Sequence, residues 1–273
     1  MHESLLIYRN MRYLKVAVAL VTVTGLLYAL HSPVENPNGG TWLGYTLGTL
    51  SASIMGWLAW YGVRKRSFGG PSIRMEDWAS AHVYLGIALV IVSTFHSGFQ
   101  FGVNVHTLLY FLMLIVVFSG VAGLYFYMRF PRLLSENRRG LTTDMMLGQI
   151  AELDSELSAY AVTLDDATAK AVFNAVHNTE IGGNLLSQLT VDNPNCPTLL
   201  ARKFVERSDG SHDEATRRKL LTRLSKKEGL LRRIRQDTKL RCLLQLWLYV
   251  HVPFTFATLA ALVTHVVVVF YYW

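Results

Sequence analysis

Charged side chains are scarce in this sequence of 273 residues, where Asp, Glu, Lys and Arg make up 16% of the chain. Soluble domains usually carry about 25%. The shortage is concentrated in long apolar blocks, whereas residues 129–241 hold most of the charge. This distribution argues against a soluble globular protein and predicts a membrane protein.

Cysteine is also scarce, and this limits the cofactors. Cys196 and Cys242 are the only two, and they form neither a CxxC nor a CxxCH sequence. Covalent c-type haem, cysteine-ligated iron–sulfur clusters and zinc sites built on cysteine pairs are therefore excluded within this chain. Both cysteines fall on the side assigned below to the cytoplasm, so we expect no structural disulfide.

Five apolar blocks are long enough to cross a bilayer, which takes roughly 20 residues. The first ends in LYALHSP, a poor cleavage site for a signal peptide, so we expect it to be a retained span. We predict an all-α integral membrane bundle with five transmembrane helices and a cytoplasmic helical insert. A four-span region, 1–128, precedes the insert at 129–241, and a fifth helix at 242–273 completes the bundle. The predicted spans are about 13–30, 42–62, 79–99, 106–128 and 242–273.

The basic residues predict the orientation of the spans. The loops 31–41 and 99–105 contain no Lys or Arg, whereas every other connection is basic. Because Lys and Arg favour the cytoplasmic side, the N-terminus lies inside and the C-terminus outside. We expect the bacterial inner membrane. The basic residues are Arg9, Arg12 and Lys15, then Arg64, Lys65, Arg66 and Arg74, then Arg129, Arg132, Arg138 and Arg139.

The predicted insert has two parts of opposite charge. Residues 129–210 hold eight Lys or Arg and eleven Asp or Glu, for a net charge of −3. Residues 211–241 hold eleven and four, for a net charge of +7, and are predicted to form one basic helix that continues into the fifth span. This helix is a solvated juxtamembrane segment, a contact for anionic membrane lipids or a docking surface for an acidic protein. It lacks any nucleic-acid recognition motif.

Four histidines lie within predicted spans, where an ionisable side chain is costly and indicates a function. His82 and His96 are fourteen positions apart in the third span, and His251 and His265 repeat that spacing in the fifth. Fourteen residues give about 21 Å of helix rise and close to four whole turns, so each pair shares one helix face. Both spans run outward. His82 and His251 therefore lie toward the inner side, and His96 and His265 toward the outer side.

Two facing helices with this pattern present two stacked histidine pairs. Neutral imidazole is an axial ligand of haem iron, and two imidazoles per iron suit electron transfer. We predict two b-type haems as cofactors, with these four histidines as the metal ligands, and electron transfer across the membrane as the function. A site for two other metal ions, or a proton path through the histidines of a haem-free anchor or transporter, is the alternative of a different class.

With these paired histidines, the sequence resembles the di-haem transmembrane cytochromes b. The spacing is similar to that in the cytochrome b of quinol:cytochrome c reductases, and the use of the third and fifth spans resembles the membrane domain of ferric reductases and NADPH oxidases. The resemblance covers the spans but not residues 129–241. It implies that His82 pairs with His251 and His96 with His265.

The resemblance also bears on the partners. The sequence has no sixth span and no flavin or nicotinamide domain, so we expect other subunits of a redox complex. An electron donor or acceptor would dock at the outer face, and a cytoplasmic protein on residues 129–241.

Further residues are candidates for the surroundings of the haems. Arg74 borders the inner position and is a candidate for binding haem propionates, unless it only marks the inner face. His31 and His106 lie at the outer ends of the first and fourth spans. They are candidates for propionate contacts, a quinol site or a third haem, or are interfacial residues without such a role. A quinone pocket lined by them and by Tyr45 would make the protein a quinol oxidase or quinone reductase itself.

Small residues recur every fourth position in the second span, at Gly44, Gly48, Ala52 and Gly56. Such a ridge permits the close approach of another helix or of a flat macrocycle. We expect it to pack against a neighbouring helix.

Overall fold

The structure, a computed structural model, describes residues 8–34, 36–66, 75–183, 185–208 and 214–271. Within these ranges it contains nine α-helices and no β-strand, in agreement with the predicted all-α class. The helices are α1 Tyr8–Leu30, α2 Trp42–Arg66, α3 Met75–Ser97, α4 Val105–Arg138, α5 Thr143–Ala161, α6 Asp166–His177, α7 Leu185–Gln188, α8 Pro197–Arg207 and α9 Glu214–Tyr271.

Four helices of the described residues, α1, α3, α4 and α9, are long and apolar enough to cross a membrane. They cover the predicted first and fourth spans, the third up to Ser97 and the fifth up to Tyr271. Helix α2 covers the predicted second span over 25 residues but is not one of these four. Its sequence includes four glycines and four Ser or Thr residues, which lower its hydropathy. A membrane position for α2, and with it the total of five spans, stays a prediction.

Two helices extend well beyond the predicted spans. Helix α4 has 34 residues and ends at Arg138, and α9 has 58 residues. The predicted basic helix and the predicted fifth span therefore belong to a single helix. Each of the two contains a proline, Pro131 in α4 and Pro253 in α9. A proline lacks the amide proton of an intrahelical hydrogen bond, so both helices have one bond fewer at these points.

The chain divides into two compact units. We call the first the span unit; it comprises the described residues up to Tyr125 and from Trp247 onward. We call the second the insert unit; it comprises Phe126–Leu246. The insert unit contains the predicted insert, residues 129–241. Its position on the cytoplasmic side stays a prediction.

Helix α3 lies at the centre of the span unit and packs against both α1 and α2. Leu43 and Leu47 of α2 form one buried cluster with Val92 of α3. A second cluster joins four helices, because its members come from α2, α3, α4 and α9. In a bilayer such contacts stabilise through close packing rather than through exclusion of water. The members of the second cluster are Met55, Leu58, Leu89, Leu109, Met113 and Ala261.

A buried carboxylate connects the beginning of α3 to α1. Asp77 is 4% exposed, and its Oδ1 lies 3.4 Å from Nη1 of Arg9. The Tyr13 hydroxyl donates a hydrogen bond to the same oxygen over 3.3 Å. Because burying a carboxylate without partners is costly, these two contacts fix the register of α1 against α3.

The insert unit is built from α5, α6, α8 and the first part of α9. Thr142 and Asp165 cap α5 and α6 by accepting hydrogen bonds from backbone amides of the first turn, as good N-cap residues do. The four helices enclose two apolar clusters. One contains Met146, Ile150, Leu153, Cys196, Leu230, Leu231 and Ile234; the other contains Leu157, Val172, Ala175, Ala201, Val205, Leu220 and Leu224.

Ion pairs within the insert unit join its acidic part to the basic stretch of α9. Lys227 is fully buried, and its ammonium donates to the Asp154 carboxylate and, over 2.6 Å, to the carbonyl of Ala175. Arg223 pairs with Glu156 at 2.5 Å. In a third pair the charges are exchanged, because the acidic residue, Glu228, lies on α9 and accepts from Arg202 of α8 at 2.7 Å. Part of the basic charge is therefore balanced inside the unit. Lipid contact and partner docking stay predictions for the rest.

A second buried carboxylate lies where α4 and α9 meet within the insert unit. Asp237 is 2% exposed and accepts two hydrogen bonds from Arg138, over 2.8 and 2.6 Å, and a third from Arg241 over 3.2 Å. Burial alone would raise the pKa of Asp237, but the two guanidinium groups outweigh it and hold that pKa below its ordinary value.

Candidate histidine site

Three histidines from three helices meet in one group, which we call the outer cluster: His96 of α3, His106 of α4 and His265 of α9. The ring centroids of His96 and His265 are 6.0 Å apart, with the rings nearly perpendicular at 82°. His106 and His265 are closer, with centroids 4.5 Å apart and Nδ1 to Nδ1 at 2.5 Å. The structure therefore brings together two residues predicted to share a haem. It adds His106, which was a candidate for propionate contacts, a quinol site or a third haem.

Helix α2 provides the floor under His96. The Nδ1 atom of His96 lies 2.7 Å from the backbone carbonyl oxygen of Gly44, and the imidazole rests on Gly48. A Cβ atom at Gly48 would lie 2.7 Å from Cε1 of that ring, closer than real Cβ atoms approach their neighbours. The glycine ridge thus packs against α3, as predicted for a helix contact. At Gly56 the space is open, so the contact does not extend that far.

The second pair, which we call the inner pair, consists of His82 of α3 and His251 of α9. The Nδ1 atom of His251 lies 2.8 Å from the Ser119 hydroxyl of α4, and Gly120 lies beside its ring. The Trp247 indole stacks on the same imidazole at a centroid distance of 5.4 Å. The indole nitrogen donates to the Ser119 carbonyl over 2.7 Å, so it holds the serine in place as well.

His82 has different surroundings from its counterpart. Its ring lies against Tyr61 at a centroid distance of 5.0 Å, and it is near enough to His251 for an electrostatic interaction. The backbone of Leu58 is close to the ring, but Nδ1 is buried without a well-formed hydrogen bond. A buried polar atom without a well-formed hydrogen bond is uncommon and costly.

The hydrogen bonds determine the tautomer of two of the histidines. A carbonyl oxygen can only accept, so His96 must carry its proton on Nδ1. The single hydroxyl proton of Ser119 is donated to the carbonyl of Val116 over 2.8 Å. Ser119 must therefore accept from His251, which also carries its proton on Nδ1. In both residues Nε2 keeps its lone pair, as a neutral metal-ligating imidazole requires.

The centroid distance between His96 and His265 is close to that of two imidazoles bound to one metal ion. Metal–nitrogen bonds of roughly 2.0–2.1 Å place the two ring centroids about 6 Å apart, and those of His96 and His265 are 6.0 Å apart. No group of three or more His, Cys, Asp or Glu side chains suits a bare metal ion among the residues that the structure describes. Bis-histidine ligation of haem uses only two side chains per iron.

Apolar side chains occupy the levels between the two histidine layers. Leu89 is seven positions from both His82 and His96, and it belongs to the buried cluster that includes Met113 and Ala261. Helix rise separates the layers by about 21 Å.

Two further residues predicted from the sequence are Arg74 and His31, and a third residue, Ser119, was not predicted. Arg74, predicted for haem propionates, lies outside the described residues. His31 was predicted as a possible neighbour of His106, but its ring lies against Trp42 at 5.3 Å, and no contact between the two histidines occurs among the described residues. Ser119 was missed. No signal in the sequence distinguishes it from the other serines and threonines of the apolar helices.

Comparison with known proteins finds no match for this chain among protein families, curated proteins or solved structures. The functional assignment therefore depends on the histidines and their surroundings.

Proposed function

We propose that this protein transfers electrons across a membrane through two b-type haems. His96 and His265 would bind the outer one, and His82 and His251 the inner one. The observation that carries the proposal is the approach of His96 and His265, whose centroids are 6.0 Å apart. A haem held by these two histidines would supply one-electron chemistry at its iron, which suits the transfer of single electrons.

The roles of the protein side chains follow from their hydrogen bonds. Gly44 and Ser119 accept from Nδ1 of His96 and His251, so each holds a ligand in the tautomer that leaves Nε2 for the metal. Trp247 and Gly48 limit the rotation of the rings, since one stacks on an imidazole and the other lies under one. Such fixed ligand orientation lowers the reorganisation needed when an electron arrives or leaves.

The proposal includes the orientation of the helices in the membrane. With the N-terminus inside, α3 and α9 run outward, so the two layers divide the membrane into an inner and an outer half. Electrons then enter at one face and leave at the other, and separate redox proteins or a quinone supply and accept them.

A proton path through the histidines is the second candidate. It is favoured by the hydrogen bond between His106 and His265, because two imidazoles in contact can pass a proton.

The absorbance spectrum of the purified full-length protein separates the two candidates. Electron transfer through haem predicts a sharp α band of the b type after reduction with dithionite, with about two haems per chain. A protein expressed with excess haem precursor that shows no such band would rule out the first candidate. Replacement of His177, which lies in α6 of the insert unit, should leave the band unchanged. It serves as the control for substitutions of the four proposed ligands.

A further inference from the structure

His106 lies in the first turn of α4 and contacts His265, one of the proposed haem ligands. Its Nδ1 lies 2.5 Å from Nδ1 of His265, and the two rings are perpendicular at 89°. Helix α4 is fixed at this end, because the Asn104 side chain accepts from the amide of Thr107 over 2.9 Å. His106 is therefore held by a helix terminus, as a positioning residue needs to be.

Two neutral imidazoles that meet through Nδ1 atoms share one proton, so one donates and the other accepts. If His265 were the acceptor, its own proton would be on Nε2 and that atom could not bind a metal. If His265 is the donor, Nε2 keeps its lone pair and His106 carries its proton on Nε2. The second arrangement matches His96 with Gly44 and His251 with Ser119, where Nδ1 also donates to the protein.

We propose that His106 is neither a haem ligand nor a propionate partner but the hydrogen-bond acceptor that orients His265. This inference rests on the proposed function for the haem. It replaces the three roles predicted for His106 from the sequence with one that the contact itself specifies. It also distinguishes the two layers, because the inner ligand His251 donates to a hydroxyl and the outer ligand His265 to an imidazole nitrogen.

The acceptor has a measurable consequence. A metal-ligating histidine becomes more basic when its other nitrogen donates a hydrogen bond, and loss of such a partner typically changes metal affinity 10–100-fold. A more basic ligand favours ferric over ferrous iron. A tenfold loss of that preference raises the midpoint potential by about 59 mV for one electron.

Two substitutions separate orientation from ligation. His106→Leu removes the acceptor, whereas His106→Asn places an amide oxygen near the original Nδ1 position and restores it. The control is His177→Leu, which replaces a histidine of α6 in the insert unit whose ring lies against Phe173. Each variant is studied as the full chain in lipid nanodiscs at one fixed pH, by redox titration and by electron paramagnetic resonance of the ferric haems.

We expect His106→Leu to raise the potential of one haem by at least 59 mV, the value for a tenfold change. The other haem should be unchanged, and His106→Asn should restore the original value. If both substitutions remove the same haem, His106 is a ligand and the inference is wrong. It is equally wrong if neither potential moves. Loss of that haem in the Leu variant with retention in the Asn variant supports it.

A second measurement does not depend on haem. Nitrogen-15 NMR of histidine-labelled, haem-free protein reports the tautomer of His265. A proton on Nδ1 that moves to Nε2 in His106→Leu supports the inference, and a proton on Nε2 in the unmodified protein contradicts it. Failure of the proposed function would appear separately, as a protein that binds no haem at all.

Discussion

His96 and Gly44 are joined by a hydrogen bond of 2.7 Å from an imidazole nitrogen of α3 to a backbone carbonyl of α2. A carbonyl inside a helix is normally used by the amide four residues later. Here the histidine shares it, and the ring that makes this bond rests on Gly48 of the same helix. The bond fixes the ring orientation and leaves Nε2 as the atom available for a metal.

Gly48 is required because the His96 ring rests on it. In Gly48→Ala the new methyl group would lie 2.7 Å from Cε1 of His96, so the ring must move. We expect the affinity for the outer haem to fall about 10–100-fold, as for other changes in the support of a metal ligand. Haem transfer to excess apomyoglobin measures this. The matched control is Gly56→Ala, where the methyl group meets no atom within 4 Å. Equal haem retention in both variants would contradict the assigned packing.

Ser119 orients the inner ligand His251. Ser119→Ala removes the acceptor for the Nδ1 proton, so we expect the inner haem to be lost more readily, by roughly tenfold or more, while the outer haem stays. Ser119→Thr keeps the hydroxyl and should behave as the unmodified protein. Ser53→Ala is the control, because Ser53 is exposed on α2 and donates to the Thr49 carbonyl of its own helix. The two haems are followed separately by redox titration. A loss that affects both haems equally would speak against this role.

Lys227 stabilises the insert unit through its two buried partners. Lys227→Met keeps the volume but leaves the Asp154 carboxylate without this donor and removes one of the hydrogen bonds to the Ala175 carbonyl, which also accepts from Thr179. Breaking one side of a buried ion pair costs about 3–5 kcal/mol of the free energy of unfolding. Chemical denaturation followed by circular dichroism measures it. Lys226→Met, next in the chain but exposed, should change the stability by less than about 0.5 kcal/mol. Similar values for the two variants would be inconsistent with this burial.

The ion pairs of Asp237 predict that the stability of the folded protein decreases in acid. Its pKa in the folded protein is below the ordinary value, because Arg138 and Arg241 outweigh the effect of burial. The folded state therefore releases this proton more readily than the unfolded state. The resulting stability is present above about pH 4, the ordinary range for Asp, and is lost as the pH falls through the lower, folded-state pKa.

The measurement for Asp237 is thermal unfolding between pH 7 and pH 3, compared with Asp237→Asn. The substitution should lower the stability at pH 7, and the difference between the two proteins should shrink toward pH 3. A constant difference across this range would show that the charge of Asp237 does not contribute.

The long apolar helices and the spacing of the two histidines within α3 and within α9 were predictable, because both are regular patterns along the sequence. Apolar runs identify α1, α3, α4 and α9, and the fourteen-residue spacing places two histidines on one face of α3. The glycine spacing likewise predicts that α2 packs closely on a neighbouring helix.

Other features depend on side-chain contacts between helices, which no spacing specifies. The link between His106 and His265 joins residues 159 positions apart, and a lone histidine at a helix end has many equivalent explanations. Ser119 is one hydroxyl among many on apolar helices. The burial of Lys227 was equally unpredictable, because a lysine in a run of basic residues resembles a solvated face until its partner in α5 is known.

The pairing of His96 with His265 is tested most directly by single alanine variants of the two residues. Haem content and redox titration are measured for His96→Ala, His265→Ala and the double variant, each as the full chain in nanodiscs. We expect either single change to remove one haem per chain, and both to remove the same redox component. The double variant should lose no more haem than either single variant. Single variants that lose different components, or an unmodified protein without haem, would contradict this pairing.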